Sequence, residues 1–250
     1  MLGTGWQRRT WSRRMAEPVV ELPPLAGGQA DSWTALVELA PVLGDNWLLV
    51  GGQMVFLHEV ERRSTDMRPT DDVDVVVNLR AEPAGLARVH EAVLGAEFSQ
   101  DPPSTDGAAH RYRRGGAVFD VLAPDNVGER AQLSLGAGRT IEAPGTTQAF
   151  HRCDVVTVDL DGSSAAIRRP NLVGALIGKA SAVVKISSQS AANRPKHLRD
   201  FDSLARMLGP VDRDGAALTH GERKLLRQVP RVGELAEASL DRLIDGGSQS

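Results

Sequence analysis

The chain has 250 residues, with Lys+Arg 29 against Asp+Glu 32, a formal net charge of -3 and 41% hydrophobic residues. That balance excludes wholesale disorder and argues against a nonspecific polyanion binder, and no apolar run approaches the roughly 18 residues of a membrane span. A single cysteine, Cys153, excludes an internal disulfide and an all-cysteine metal site, so a cytoplasmic location is expected.

Residues 1–14 carry Arg8, Arg9, Arg13 and Arg14, no acid, and no apolar stretch of the kind a secretory signal needs. They belong to a flexible extension spanning 1–30, or precede a start at Met15. Order is expected from Asp31, where Asp31 or Ser32 caps a helix running through TALVELAPVL. The apolar run WLLV at 47–50 predicts a strand that stops at Gly51-Gly52, and 53–60 predicts a helix. Valine-rich 72–78 predicts a strand, and 84–95 an amphipathic helix. A hairpin is expected over 110–122, turning at Gly115-Gly116, and another over 154–169, turning at Asp161-Gly162. Beyond Pro170 the pattern is helical, and Thr219-His220-Gly221-Glu222 reads as a capping box opening ERKLLRQV. The tail IDGGSQS is expected to fray. The expected organisation is therefore an α/β core at 31–169 followed by a helical subdomain at 170–250.

Chemistry concentrates around the diglycine. Two glycines between a strand and a helix permit a tight turn and close approach of a ligand, and helix N-terminal amides favour phosphate. Asp72 and Asp74 lie two apart on a strand and so share a face, with Val73 and Val75 on the other. Asp120 interrupts the apolar run AVFDVL, which is costly unless the carboxylate has a partner. If that strand lies beside 72–78, three hard oxygen donors meet, and a divalent cation relieves their repulsion. Magnesium suits such a site because it also binds substrate phosphates, and two ions can flank an in-line phosphoryl displacement.

This segment resembles the nucleotidyltransferase superfamily, and within it the AbiEii/AbiGii-type toxins of bacterial type IV toxin–antitoxin systems. The resemblance rests on Gly51, Gly52, Arg68, Thr70, Asp72, Asp74 and Asp120, continues through Lys179, Arg194, Lys196 and Asp200, and covers roughly residues 35–208. It implies a nucleotidyltransferase-like mixed sheet with flanking helices and a C-terminal helical subdomain. It implies transfer of an NMP from an NTP to a hydroxyl of a tRNA or a protein, with an antitoxin as partner and no membrane involvement. Gly51 and Gly52 would cradle the triphosphate, Arg68 and Thr70 would border the nucleotide, and Lys179 would neutralise its β and γ phosphates. Asp72 and Asp74 would hold both magnesium ions, and Asp120 would hold one and help deprotonate the attacking hydroxyl. The chain departs from the family at His197, where an aspartate is frequent, and carries Gly-Gly where many nucleotidyltransferases have Gly-Ser.

Two other readings stand beside this one: a small-molecule, aminoglycoside-type nucleotidyltransferase, which also uses a Gly-Gly turn and a D-x-D strand, and a non-catalytic nucleotide-binding protein on the same fold. Arg111, Tyr112, Arg113 and Arg114 form a basic hairpin with an aromatic residue inside it. Such a hairpin could bind an RNA strand, or could be a charged edge that discourages sheet pairing. The histidines at 58, 90, 110, 151, 197 and 220 lack zinc-site spacing. No serine elbow and no P-loop occurs, Ser163-Ser164 and Ser187-Ser188 included. Cys153 reads as a small apolar group rather than a nucleophile.

Overall fold

The computed structural model describes residues 19–65, 67–127, 133–185, 193–230 and 234–246. The arginine-rich start, Met15, Ser187-Ser188 and most of the tail expected to fray lie outside the described residues. The chain is mixed α/β. Its first half runs β1 (Val19–Glu21), α1 (Gly27–Leu39), β2 (Trp47–Val50), α2 (Gly51–Glu61), β3 (Asp72–Val77), α3 (Gly85–Gly95) and β4 (Ser99–Gln100). Then come β5 (Arg111–Arg114), β6 (Ala117–Pro124), β7 (Ser134–Leu135), β8 (Gly138–Arg139), β9 (Glu142–Ala143) and α4 (Thr146–Ala149). The hairpin β10 (Cys153–Leu160) and β11 (Ser163–Pro170) leads into α5 (Leu172–Lys185), α6 (Arg194–Arg206), α7 (Pro210–Asp214), α8 (His220–Gln228) and α9 (Glu234–Asp245).

The main sheet runs β2-β3-β6-β5-β4, with β9 paired to β6. Only the β3·β6 and β6·β9 pairings in it are parallel. Alternation along β3 splits the sheet into two faces. Val73, Val75 and Val77 enter the main core with Trp47, Leu49, Phe119 and Val121. Val76 turns the other way and joins Leu48, Val50, Leu122 and Ala149 in a small second cluster. Asp72 and Asp74 lie on this second face, beyond the end of its apolar patch.

Both hairpins form where the sequence places them. The turn Asp161-Gly162 has φ of 51° and 84°, the paired left-handed conformation that matches strand twist. Helix α5 is apolar nearly all round and is correspondingly buried. The main apolar cluster runs without a break from Val20 to Ile244, through both the α/β stretch and the helices.

Order begins earlier than Asp31. Val19–Glu21 pairs in parallel with β10, so the flexible extension expected over 1–30 already contributes a strand. Helix α1 starts at Gly27, and neither Asp31 nor Ser32 caps it. The Ser32 hydroxyl is used elsewhere: it donates to the Asp71 carbonyl and accepts from the Val118 amide at 3.1 Å, pinning α1 to β3 and β6.

A polar cluster fastens α2 to β11. Arg169 donates to His58 Nδ1 at 3.0 Å, which leaves the proton on Nε2, 3.0 Å from the Pro170 carbonyl. Arg169 also reaches Glu61 at 2.5 Å. The capping box forms as the sequence predicts, with the Glu222 amide donating to Thr219 Oγ1 at 3.2 Å and the Thr219 amide donating to Glu222 Oε2 at 2.7 Å. Glu222 also receives Arg152 at 2.8 and 3.0 Å, which ties α8 to the segment before β10.

Thr219→Ala removes a cap alone and should cost about 1 kcal/mol. Glu222→Ala also removes the carboxylate of Arg152, leaving it the Ala216 and Ala217 carbonyls alone, and should cost about 2–3 kcal/mol. Urea denaturation of both variants checks the order, and equal losses would contradict it.

Candidate active site

One row of residues crosses four strands. Val50 lies opposite Asp74, Asp74 beside Asp120, and Asp120 opposite Arg111. Residues paired in this way share a sheet face. Helix α2 begins at the end of this row, directly after Val50, and no side chain caps its N-terminus. Gly51 has φ +69°, and a Cβ there would lie 1.7 Å from Asp74 Oδ2. A Cβ on Gly52 would lie 2.7 Å from Thr70 Oγ1. The diglycine is thus required by the left-handed turn and by the packing of two side chains against it.

A cleft of about 630 Å³ opens on this face. Gly51, Gly52, Asp72, Asp74, Arg111 and Asp120 line one side, and Lys179, Lys196 and His197, from the helices, line another. The three carboxylates therefore line one cleft together with the diglycine. Asp120 is 4% exposed, while Asp72 and Asp74 are half-buried.

Burial, then the neighbouring charges of Asp120 and Asp72, raise the carboxyl of Asp74 to about 7. Lys179 and Lys196 pull it the other way. Asp120 escapes this repulsion through Arg111, whose Nε donates to Oδ1 at 2.8 Å and Nη2 to Oδ2 at 2.6 Å. The same Nη2 lies 3.4 Å from Asp72 Oδ2. Hard oxygen donors and mutual repulsion suit a divalent cation, and Gly51 lets the Asp74 carboxylate lie against the backbone where a Cβ would otherwise stand. Among the described residues no group of three His, Cys, Asp or Glu side chains is arranged to hold a metal.

Lys179 is not the surface lysine that its helix position allows. It is 5% exposed and donates to Asp200 Oδ2 at 2.7 Å. Arg68 donates to the other oxygen of Asp200 at 3.2 Å. Burial alone would raise the Asp200 carboxyl, but Lys179 and Arg68 hold it below its ordinary value. Arg68 and Thr70 do not line the cleft. Arg68 links the segment before β3 to α6, and Thr70 packs against Gly52. Burial and the charge of Lys179 hold His197 down at about 4, so this ring faces the cleft neutral.

Two residues were illegible as site residues. Gln53 is fully buried, accepts the Trp33 indole N–H at 2.6 Å and donates to the Thr70 carbonyl at 2.5 Å, fixing the approach to β3. No signal marks a glutamine for this in an apolar helix. Arg111 reads from the sequence as part of a basic hairpin that either binds RNA or guards a sheet edge, yet β5 lies between β6 and β4 and the hairpin offers no stacking surface because Tyr112 is fully buried. Its other arginines also have partners within the chain: Arg113 pairs with Asp101 at 3.0 Å, and Arg114 with Glu38 at 2.6 Å and over the Phe98 ring at 4.8 Å.

No family model, curated protein or solved structure matches the chain.

The position of Asp74 has a consequence for stability without metal. Its carboxyl binds a proton more tightly folded than unfolded, so folding is favoured while it is protonated. Stability then falls as pH rises from 3.8 towards about 7, by on the order of 3 kcal/mol. Asp74→Asn abolishes that component. In chelator, the variant should gain on the wild type between pH 5 and pH 7.5 in urea melts; a stability difference that does not vary with pH contradicts this.

Proposed function

We propose that the chain is a metal-dependent nucleotidyltransferase that moves an NMP from an NTP to a hydroxyl acceptor, on a nucleotidyltransferase-like sheet. The observation that carries this reading is the cross-strand row placing Asp74 beside Asp120, with Asp72 on the same face and the Gly51-Gly52 turn at its end. Lys179 and Lys196 line the same cleft.

The roles follow from position. The start of α2 has no side-chain cap and opens on the cleft, so its free amides are the donors offered to a phosphate. Lys179 and Lys196 bring positive charge to the β and γ phosphates, with Lys179 held in place by Asp200. Two magnesium ions on Asp72, Asp74 and Asp120 would supply Lewis-acid stabilisation of the entering and leaving oxygens. Asp120 takes the proton of the acceptor hydroxyl. The hydroxyl oxygen bonds to the α phosphorus, the bond from that phosphorus to the bridging oxygen breaks, and pyrophosphate leaves. A tRNA or protein acceptor, the toxin role and an antitoxin partner are carried by the sequence resemblance alone.

A second reading has a specific observation behind it. Both oxygens of Asp120 are already held by a guanidinium, as they would be in a protein that binds nucleotide without turnover.

Incubation with labelled NTPs, magnesium and total tRNA or lysate should show transfer to an acceptor. Asp74→Asn should lower it by about 100-fold or more. Equal transfer by the variant overturns the proposal, and nucleotide binding by calorimetry with no transfer supports the second reading instead.

A further inference from the structure

Arg111 sits where the proposed cation would have to act. Antiparallel pairing of β5 with β6 sets it directly opposite Asp120, so the register itself aims its side chain along the face that carries the carboxylates. Its fork takes both oxygens of Asp120, at 2.8 and 2.6 Å, and reaches Asp72 at 3.4 Å. The guanidinium therefore supplies the positive charge that lies between these two acids. A bidentate clasp of this kind is strong and directional, and arginine cannot release it by losing its proton.

The two partners differ in freedom. Asp120 is sealed in the sheet, its side chain 5% exposed, whereas the side chain of Arg111 is 34% exposed and lies on the cleft wall. Both line the cleft, but Arg111 has the longer, flexible stem and the greater exposure, whereas the short Asp120 side chain is fixed in the sheet. Of the pair, the arginine is the one that can leave. Among the described residues the other charged side chains lining the cleft are Asp74, Glu142, Lys179, Lys185 and Lys196, of which Lys185 pairs with Asp125, and the rings of His110 and of neutral His197 also line it. Lys179 is engaged by Asp200 and so is not available to take Arg111's place.

We propose that Arg111 is a built-in counter-cation of the carboxylate cluster, which holds Asp120 and Asp72 in place without metal and must swing out of the clasp before a divalent ion can bind them. The proposal rests on the metal-dependent reading above and adds to it a competition for the same oxygens. Arg111 is on this account a positioning residue whose removal changes metal affinity. That removal costs stability when metal is absent, because Asp120 and Asp72 are then left without the cation between them.

The test uses Mn2+ alone as the probe, with the full chain as wild type, Arg111→Met, Arg111→Lys and Asp120→Asn. Titration calorimetry or electron paramagnetic resonance reads affinity, and thermal melts with and without Mn2+ read stability. Arg111→Met should bind Mn2+ at least about tenfold more tightly than wild type. Its melting temperature should fall in chelator, and Mn2+ should raise it more than it raises the wild type's. Arg111→Lys keeps the charge but loses the fork and should fall between them; it also serves if the methionine variant does not fold. Asp120→Asn should bind Mn2+ more weakly than every other protein in the set. Unchanged or weaker Mn2+ binding on loss of the fork overturns the proposal while leaving the metal reading intact. Absence of Mn2+ binding in all four proteins overturns both.

Discussion

The row Val50–Asp74–Asp120–Arg111 is the constraint on which the rest of the site depends. Parallel pairing of β3 with β6 forces two carboxylates side by side on one face, an arrangement that a sheet does not adopt for stability alone. Like charges in this position oppose folding, and low local polarity strengthens the effect. The chain manages the conflict with two devices. Asp74 holds its proton up to about 7, and Asp120 is neutralised by the arginine on the next strand. Gly51 belongs to the same device, since any side chain there would collide with Asp74. The cost of this row is borne by the core on the opposite face, where Val73, Val75, Phe119 and Val121 are fully buried or nearly so.

Much of this was legible in the sequence because it depends on short-range rules. Period-two alternation placed Asp72 and Asp74 together and Val73 and Val75 opposite. Asp161-Gly162 announced its hairpin through the left-handed conformation it needs. Thr219 and Glu222 announced a helix start because a capping box is complete within four residues. An aspartate inside AVFDVL announced a partner because an unpaired buried carboxylate is too costly.

The illegible parts depend on pairings that no local pattern encodes. Residues 19–21 look like part of an irregular leader, and only the distant β10 makes them a strand. Ser32 looks like a cap because hydroxyls favour helix starts, but its hydroxyl is claimed by Asp71 and Val118, brought near by the sheet. The basic hairpin shows most clearly how composition misleads. Four consecutive residues rich in arginine resemble a surface that binds polyanions, yet strand register sends Tyr112 into the core and each arginine to a separate partner. Charge in a sequence identifies what a segment can bind; register decides whether anything is left to bind it with.

The helical half supplies what the sheet lacks. Arg68, Asp200 and Lys179 form a chain of contacts from the segment before β3, through α6, to α5. Asp200 has both oxygens engaged, so this linkage fixes the position of Lys179 in the cleft without consuming its positive field entirely: two cations share one carboxylate. The acids of the sheet and the lysines of the helices thus line one cleft of about 630 Å³. The lysines temper the charge of Asp74, which stays raised all the same, so the acids are only partly neutralised by them. A simple cation would satisfy the acids and leave the lysines unmatched, and a simple anion would do the reverse. A ligand that carries divalent metal on one side and phosphate charge on the other satisfies both, which is the physical reason to look first at metal–nucleotide complexes for this cleft.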